Sequence, residues 1–167
     1  MRRYLPHPLT ALLVLVLAGA GVLVWLFVSR PDPHAGRAAD EAALAAARQT
    51  SVNSASYDYR SIDKQLKIIA GELTGPALTQ FDAQKADIKT SVAANKTVAT
   101  AQVLDAGIVP GTVTSADTVR ALVALNVTYV VNSGTPASQP QLLEVDMVRV
   151  GAGWVAENIS PVTPSAS

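Results

Sequence analysis

The stretch DTVRALVALNVTYVV, residues 117–131, decides the fold. Val119, Ala121, Val123, Leu125, Val127, Tyr129 and Val131 occupy every second position, with Arg120, Asn126 and Thr128 among the residues between them. A period of two places the first set on one face of an extended chain and the second set on the other. Val, Thr and Tyr are also residue types that suit a pleated, half-buried surface. The stretch therefore predicts a long strand with one covered face. At that length it must bend around a core or carry a bulge.

Similar segments follow on both sides. Towards the C-terminus, Asn132-Ser133-Gly134-Thr135-Pro136 predicts a loop. Gln141–Val150 predicts a strand, with Leu143, Val145 and Met147 opposite Leu142, Glu144 and Asp146. Gly151-Ala152-Gly153 is a tight connection into a last strand, Trp154–Ile159. Towards the N-terminus, Val98–Val109 alternates in part and stops at the turn pair Pro110-Gly111. About four antiparallel strands in a meander are expected.

Before Asn95 the period is helical. Gly36 to about Ala55 is alanine-rich, with a small-residue face of Ala39, Ala43, Ala46, Ala47 and Thr50 suited to close packing on a sheet. Asn53-Ser54-Ala55-Ser56 is expected as its frayed end. Ser61 is placed to cap a second helix reaching Leu73, with Ile62, Leu66, Ile69 and Leu73 on one stripe. Thr74-Gly75-Pro76 ends that helix and starts a third, from Pro76 to about Asn95. The third helix has Leu78, Phe81, Ile88 and Val92 inward and Asp82, Lys85, Asp87 and Lys89 towards water. Helices first and strands after define an α+β class, about three helices on one side of a curved antiparallel sheet.

Ahead of this domain stands LTALLVLVLAGAGVLVWLFV, Leu9–Val28, without charge or proline. At about 1.5 Å per residue it spans a hydrocarbon core of about 30 Å. It is longer than a signal-peptide apolar region and ends in Trp25-Leu26-Phe27-Val28, bulky residues unsuited to cleavage. A retained transmembrane helix is expected, making the bilayer the first partner. Residues 29–37 form a linker stiffened by Pro31 and Pro33. Arginines flank the span on both sides, so charge does not orient it.

Composition excludes several functions. The chain of 167 residues balances 13 basic against 13 acidic side chains and has no cysteine. Disulfides and thiolate chemistry are therefore absent, and without a basic run no nucleic-acid partner is expected. The two histidines, His7 and His34, sit close to the anchor, so a His–Asp catalytic pair cannot be built in the domain. No metal site and no cofactor are expected.

Four features narrow the family: the N-terminal anchor; Tyr57-Asp58-Tyr59 with Ile62-Asp63; Leu73-Thr74-Gly75 with Phe81 following; and Gly153-Trp154-Val155. Together they resemble the Mce-associated membrane proteins of actinobacteria, which accompany Mce lipid-import complexes. The resemblance covers roughly Ala38 to Val162 and implies an NTF2-like (cystatin-like) cone. It also implies that the tail over 1–8, ahead of the helix over 9–28, is cytoplasmic and that the domain over 38–162 is extracytoplasmic; the polar residues 163–167 are expected as a disordered tail. The sequence departs from the family in setting Pro76 after Thr-Gly and displacing the following aromatic to Phe81.

Some NTF2-like cones are enzymes, in which a carboxylate base and a neutral tyrosine meet in an apolar pocket. Candidates here are Tyr57, Tyr59 and Asp63, with Asp105, Glu144 and Asp146 from the strands. Each also has a structural role open to it, and Trp154 suits packing at the sheet end. No catalytic residue is therefore assigned, and Tyr57, Tyr59, Asp63 and Trp154 are carried forward as pocket or partner contacts. The expected function is a non-catalytic accessory or scaffold subunit of an Mce-type lipid import complex, with homo-oligomerisation left open. The alternatives are an assembly component resembling the VirB8-type conjugation proteins, which also put an anchor before an NTF2-like domain, or a lipid-binding or ketosteroid-isomerase-like cone.

Overall fold

In the computed structural model, which describes residues 35–110 and 117–162, the element order is α1 (Ala35–Ala55), β1 (Tyr57–Asp58), α2 (Ile62–Gly71), α3 (Gly75–Ala94), β2 (Val98–Ile108), β3 (Thr118–Val130), β4 (Ala137–Val150) and β5 (Gly153–Pro161). The apolar span expected over Leu9–Val28, its tail, most of the linker and the terminal segment 163–167 lie outside these residues. Among the described residues, no helix is long and apolar enough to cross a membrane.

The strands form one antiparallel sheet in the order β1-β2-β3-β4-β5. This is five strands where about four were expected. The extra one, β1, pairs Tyr57 with Ala99 and Asp58 with Val98. Two residues cannot display a period, so β1 exists only because β2 offers an edge at that point.

β3 follows its pattern closely. Ala121, Val123, Leu125 and Val127 are fully buried and Val119 nearly so, while the residues between them stay half-exposed. Burying a valine or leucine side chain stabilises the fold by ~1.5–3 kcal/mol, so this face is the largest single contribution to the core. Tyr129 is only half-buried and Val131 is exposed, contrary to expectation. The reason is that β3 ends at Val130 and the chain turns through Asn132 and Ser133, both at positive φ (51° and 58°).

The bend is supplied by the partners of the long strands rather than by β3. Residue Leu104 is bulged out of β2 against β3, and Glu157 out of β5 against β4. Such bulges increase local twist and let a sheet curl. β4 begins four residues earlier than expected because Pro140 is tolerated in it. β5 reaches back along β4 only to Leu143, so Pro140 lies where β4 is an edge.

α1 lies on the sheet through small side chains: Ala43, Ala47, Thr50 and Ser51 are buried. Its end is not frayed. The helix runs to Ala55, and Asn53 Nδ2 donates to Glu72 Oε1 at 2.6 Å. The Ser56 hydroxyl accepts from the Ala101 N–H at 3.0 Å. These tertiary partners replace the water that polar residues at a helix end usually take. Arg48 Nη2 also reaches the Ala106 carbonyl at 3.2 Å, beyond the part of β2 that β1 pairs with.

The α2–α3 corner docks on the other edge. Thr74 N–H donates to Ala156 O at 2.9 Å and Ala156 N–H to Glu72 O at 2.8 Å. Gly75 sits at φ +51°, with Pro76 in the first turn of α3. A Cβ at position 75 would stand 3.3 Å from Glu157 Cγ. Gly75→Ala is therefore expected to cost ~1–2 kcal/mol, the penalty of a left-handed non-glycine residue. A lowered urea midpoint with unchanged slope would show it; an unchanged midpoint would mean that the corner relaxes freely.

Candidate functional site

Two helical stripes meet across a gap. From α2 come Ile62, Leu66 and Ile69, with Leu73 just beyond it, spaced as one face of a helix. From α3 come Ala77, Gln80, Phe81, Gln84 and Ile88. Ser54 of α1, Tyr57 of β1 and Ile159 of β5 complete the lining of a pocket of about 250 Å³. The α2 stripe is buried, whereas α3 is fastened mainly at its ends, by Ala77 and Val92. Leu78, Phe81 and Ile88 between them remain half-exposed.

Tyr57 is the one titratable side chain in this lining. It stands in a cross-strand row with Ala99 and Tyr129, in which the small Ala99 leaves room for a ring on each side. Tyr129 OH accepts from Gln141 Nε2 at 2.9 Å. Burial, and secondarily Tyr129, pushes the Tyr57 phenol above its ordinary value of 10.0. A raised folded-state pKa means that stability is complete below the unfolded value and is lost as pH rises through the folded one. Tyr57→Phe is accordingly expected to flatten the loss of thermal stability above pH ~10; melting curves that fall in parallel for both proteins would contradict this.

The carboxylates are held elsewhere. Asp63 pairs with Lys89 at 2.7 Å, bridging α2 and α3 at an exposed position. Asp58 binds Arg60 at 2.6 Å, and the guanidinium hydrogen bonds hold its carboxyl below the usual range. Asp146 and Glu144 both engage Arg120 across the β3–β4 pair, on the side of the sheet facing away from the helices. Asp105 accepts from the N–H of Ala106 at 2.8 Å. No carboxylate is among the pocket-lining residues, so the acid–tyrosine pair of an isomerase-like site is not assembled there. Among the described residues no cluster of His, Cys, Asp or Glu has the arrangement to hold a metal ion.

Of the four residues singled out in the sequence, the structure brings only Tyr57 into the pocket. Tyr59 packs beside the Ile62–Leu66–Val92 cluster, with the Arg60 guanidinium 5.7 Å from its ring centroid. Asp63 is at the exposed bridge just described. Trp154 is half-buried against the main core, opposite Arg149, whose guanidinium lies 5.9 Å from the indole. Sequence reasoning missed Gln80 and Gln84. Their spacing of four residues, next to Ala77 and Phe81, was the available signal.

Three helices on a curled antiparallel sheet of five strands are an NTF2-like fold. No family model matches the chain, and no curated protein does. Solved structures do match. The periplasmic domain of DotI superposes with a TM-score of 0.63 at 19% identity, over 81% of this chain and 99% of that one. An IcmL-like type IV secretion system protein from Legionella pneumophila gives 0.59 at 15% identity, over 74% and 94%. The VirB8 protein of Agrobacterium tumefaciens gives 0.58 at 11%, over 82% and 100%. At these identities the likeness establishes the fold and nothing finer.

Proposed function

We propose that this chain is a non-catalytic subunit of a membrane assembly, anchored through Leu9–Val28 with its NTF2-like domain on the extracytoplasmic side. We assign the assembly to the secretion or conjugation class. The observation that carries this is a pocket lined without carboxylate or histidine, in a fold shared over most of its length with VirB8-like domains. A tyrosine alone, its phenol held neutral, supplies no base. What such a domain then offers is shape and surface, which is what a scaffold needs.

The Mce resemblance predicts the same kind of subunit on a lipid-import machine. It is favoured by the residues Tyr57–Asp63, Leu73–Gly75 and Gly153–Val155. Both assignments make the same first test. Deleting the chain should lower the steady-state amounts of the other subunits of its machinery. A Tyr57→Phe variant, which keeps the ring and removes the one titratable group of the pocket lining, should restore them fully together with transport. Restored subunit levels without restored transport would point to catalysis and overturn the scaffold role.

A further inference from the structure

We propose that the pocket between α2 and α3 binds one uncharged acyl chain. This goes beyond the assembly role and stands or falls separately from it. At about 250 Å³ the space exceeds the ~150 Å³ apolar cavity that takes up benzene and lies just under the ~300 Å³ at which ordinary ligand pockets begin. The space is open to solvent, with Gln80 and Gln84 exposed in its lining, so its apolar walls meet water that an apolar guest would displace. Phe81 and Ile88 are large apolar side chains left half-exposed beside it, on the stretch of α3 that has no buried residue. An apolar guest would complete their burial.

The chemistry of the walls selects the guest. The polar groups in the lining are neutral: Ser54, Tyr57, Gln80 and Gln84. The cations of α3 are already engaged outside the pocket, Lys89 with Asp63 at 2.7 Å and Lys85 with Asp82 at 3.7 Å. An ionised headgroup entering the pocket would therefore exchange water for neutral groups only, which is costly. An extended peptide fits poorly as well, and a helix about 10–12 Å across is too wide to enter a space of this size. The walls are mainly helix faces, whose backbone groups are bonded along their own helices, so an entering backbone would find few donors or acceptors. An acyl chain requires none, and the glutamines are placed to meet a hydroxyl or ester at its uncharged end.

The test uses the full chain in native membranes and a long-chain alcohol bearing a diazirine, followed by photolysis, digestion and mass spectrometry. Labelled peptides are expected from α2 and α3 as well as from residues 9–28. Gln84→Trp and Gln80→Trp change exposed positions at the pocket and fill it with an indole. Each should lower labelling of α2 and α3 about tenfold, equivalent to ~1.4 kcal/mol of binding. Labelling of residues 9–28 should stay constant as the internal control, and circular dichroism should report an intact fold. A diazirine fatty acid, ionised at its head, should label α2 and α3 more weakly. Absence of α2 and α3 labelling in the parent chain, labelling indifferent to both tryptophans, or equal labelling by the ionised probe would overturn the proposal. So would protein–protein cross-links at these helices that exclude the alcohol.

Discussion

Leu125→Ala is expected to lower the unfolding free energy by about 3 kcal/mol, within the ~2–5 kcal/mol that leucine truncation costs in well-packed cores. Leu125 is fully buried on β3, the central strand of the five, with Val123 and Val127 beside it on the same face. Strands on both sides hold their own registers, Val103 opposite on β2 and Gln141 on β4. Neighbouring side chains can therefore collapse only partly into the space. Urea titration followed by far-ultraviolet circular dichroism measures the effect. A loss below ~1 kcal/mol would mean that the sheet face is loosely packed, against the description of the core given above.

Ala47→Leu is expected to cost ~3 kcal/mol from the opposite cause, the upper end of ordinary overpacking. Ala43, Ala47 and Ser51 of α1 are fully buried, four residues apart, so one line of small side chains faces the core. A leucine there must displace either the helix or the side chains of the main core cluster, which includes Ala47. Ala46→Leu, one position round the helix and only half-buried, is the control and should cost far less. Equal losses at the two positions would show that the small-residue stripe does not set the helix-to-sheet distance.

Much of this fold can be read from the sequence because each large element repeats its own period. β3 alternates along its length, the α2 stripe Ile62–Leu66–Ile69–Leu73 is buried as spaced, and Thr74-Gly75-Pro76 marks the α2–α3 corner. What could not be read depended on tertiary partners. β1 is two residues held by the β2 edge. The end of α1 is ordered by Glu72 and Ala101, distant in sequence. Val131 continued the alternation in sequence, but the positive-φ turn after β3 took it out of the core.

The site divides in the same way. Periodicity told which faces of α2 and α3 are turned inward, but a stripe does not reveal whether the space it faces is filled. The pocket lies along the stretch of α3 between its two buried residues, Ala77 and Val92, near the helix ends. Likewise, Asp63 could be paired with tyrosine on paper. Its position in the first turn of α2 instead directs it to Lys89 on α3. Trp154 was the most distinctive residue in the sequence, and its position opposite Arg149 against the core agrees with packing at the sheet end.

The role proposed for this domain is that of a structural subunit in a membrane assembly of the secretion or conjugation class. Its most direct test is mild cross-linking in native membranes, followed by solubilisation, purification through a tag on this chain and identification of what accompanies it. The expected result is a stable set of secretion- or conjugation-type subunits in a fixed ratio to the chain. Recovery of Mce and permease subunits would move the chain to the lipid-import class, and recovery of the chain alone would contradict the assembly role itself.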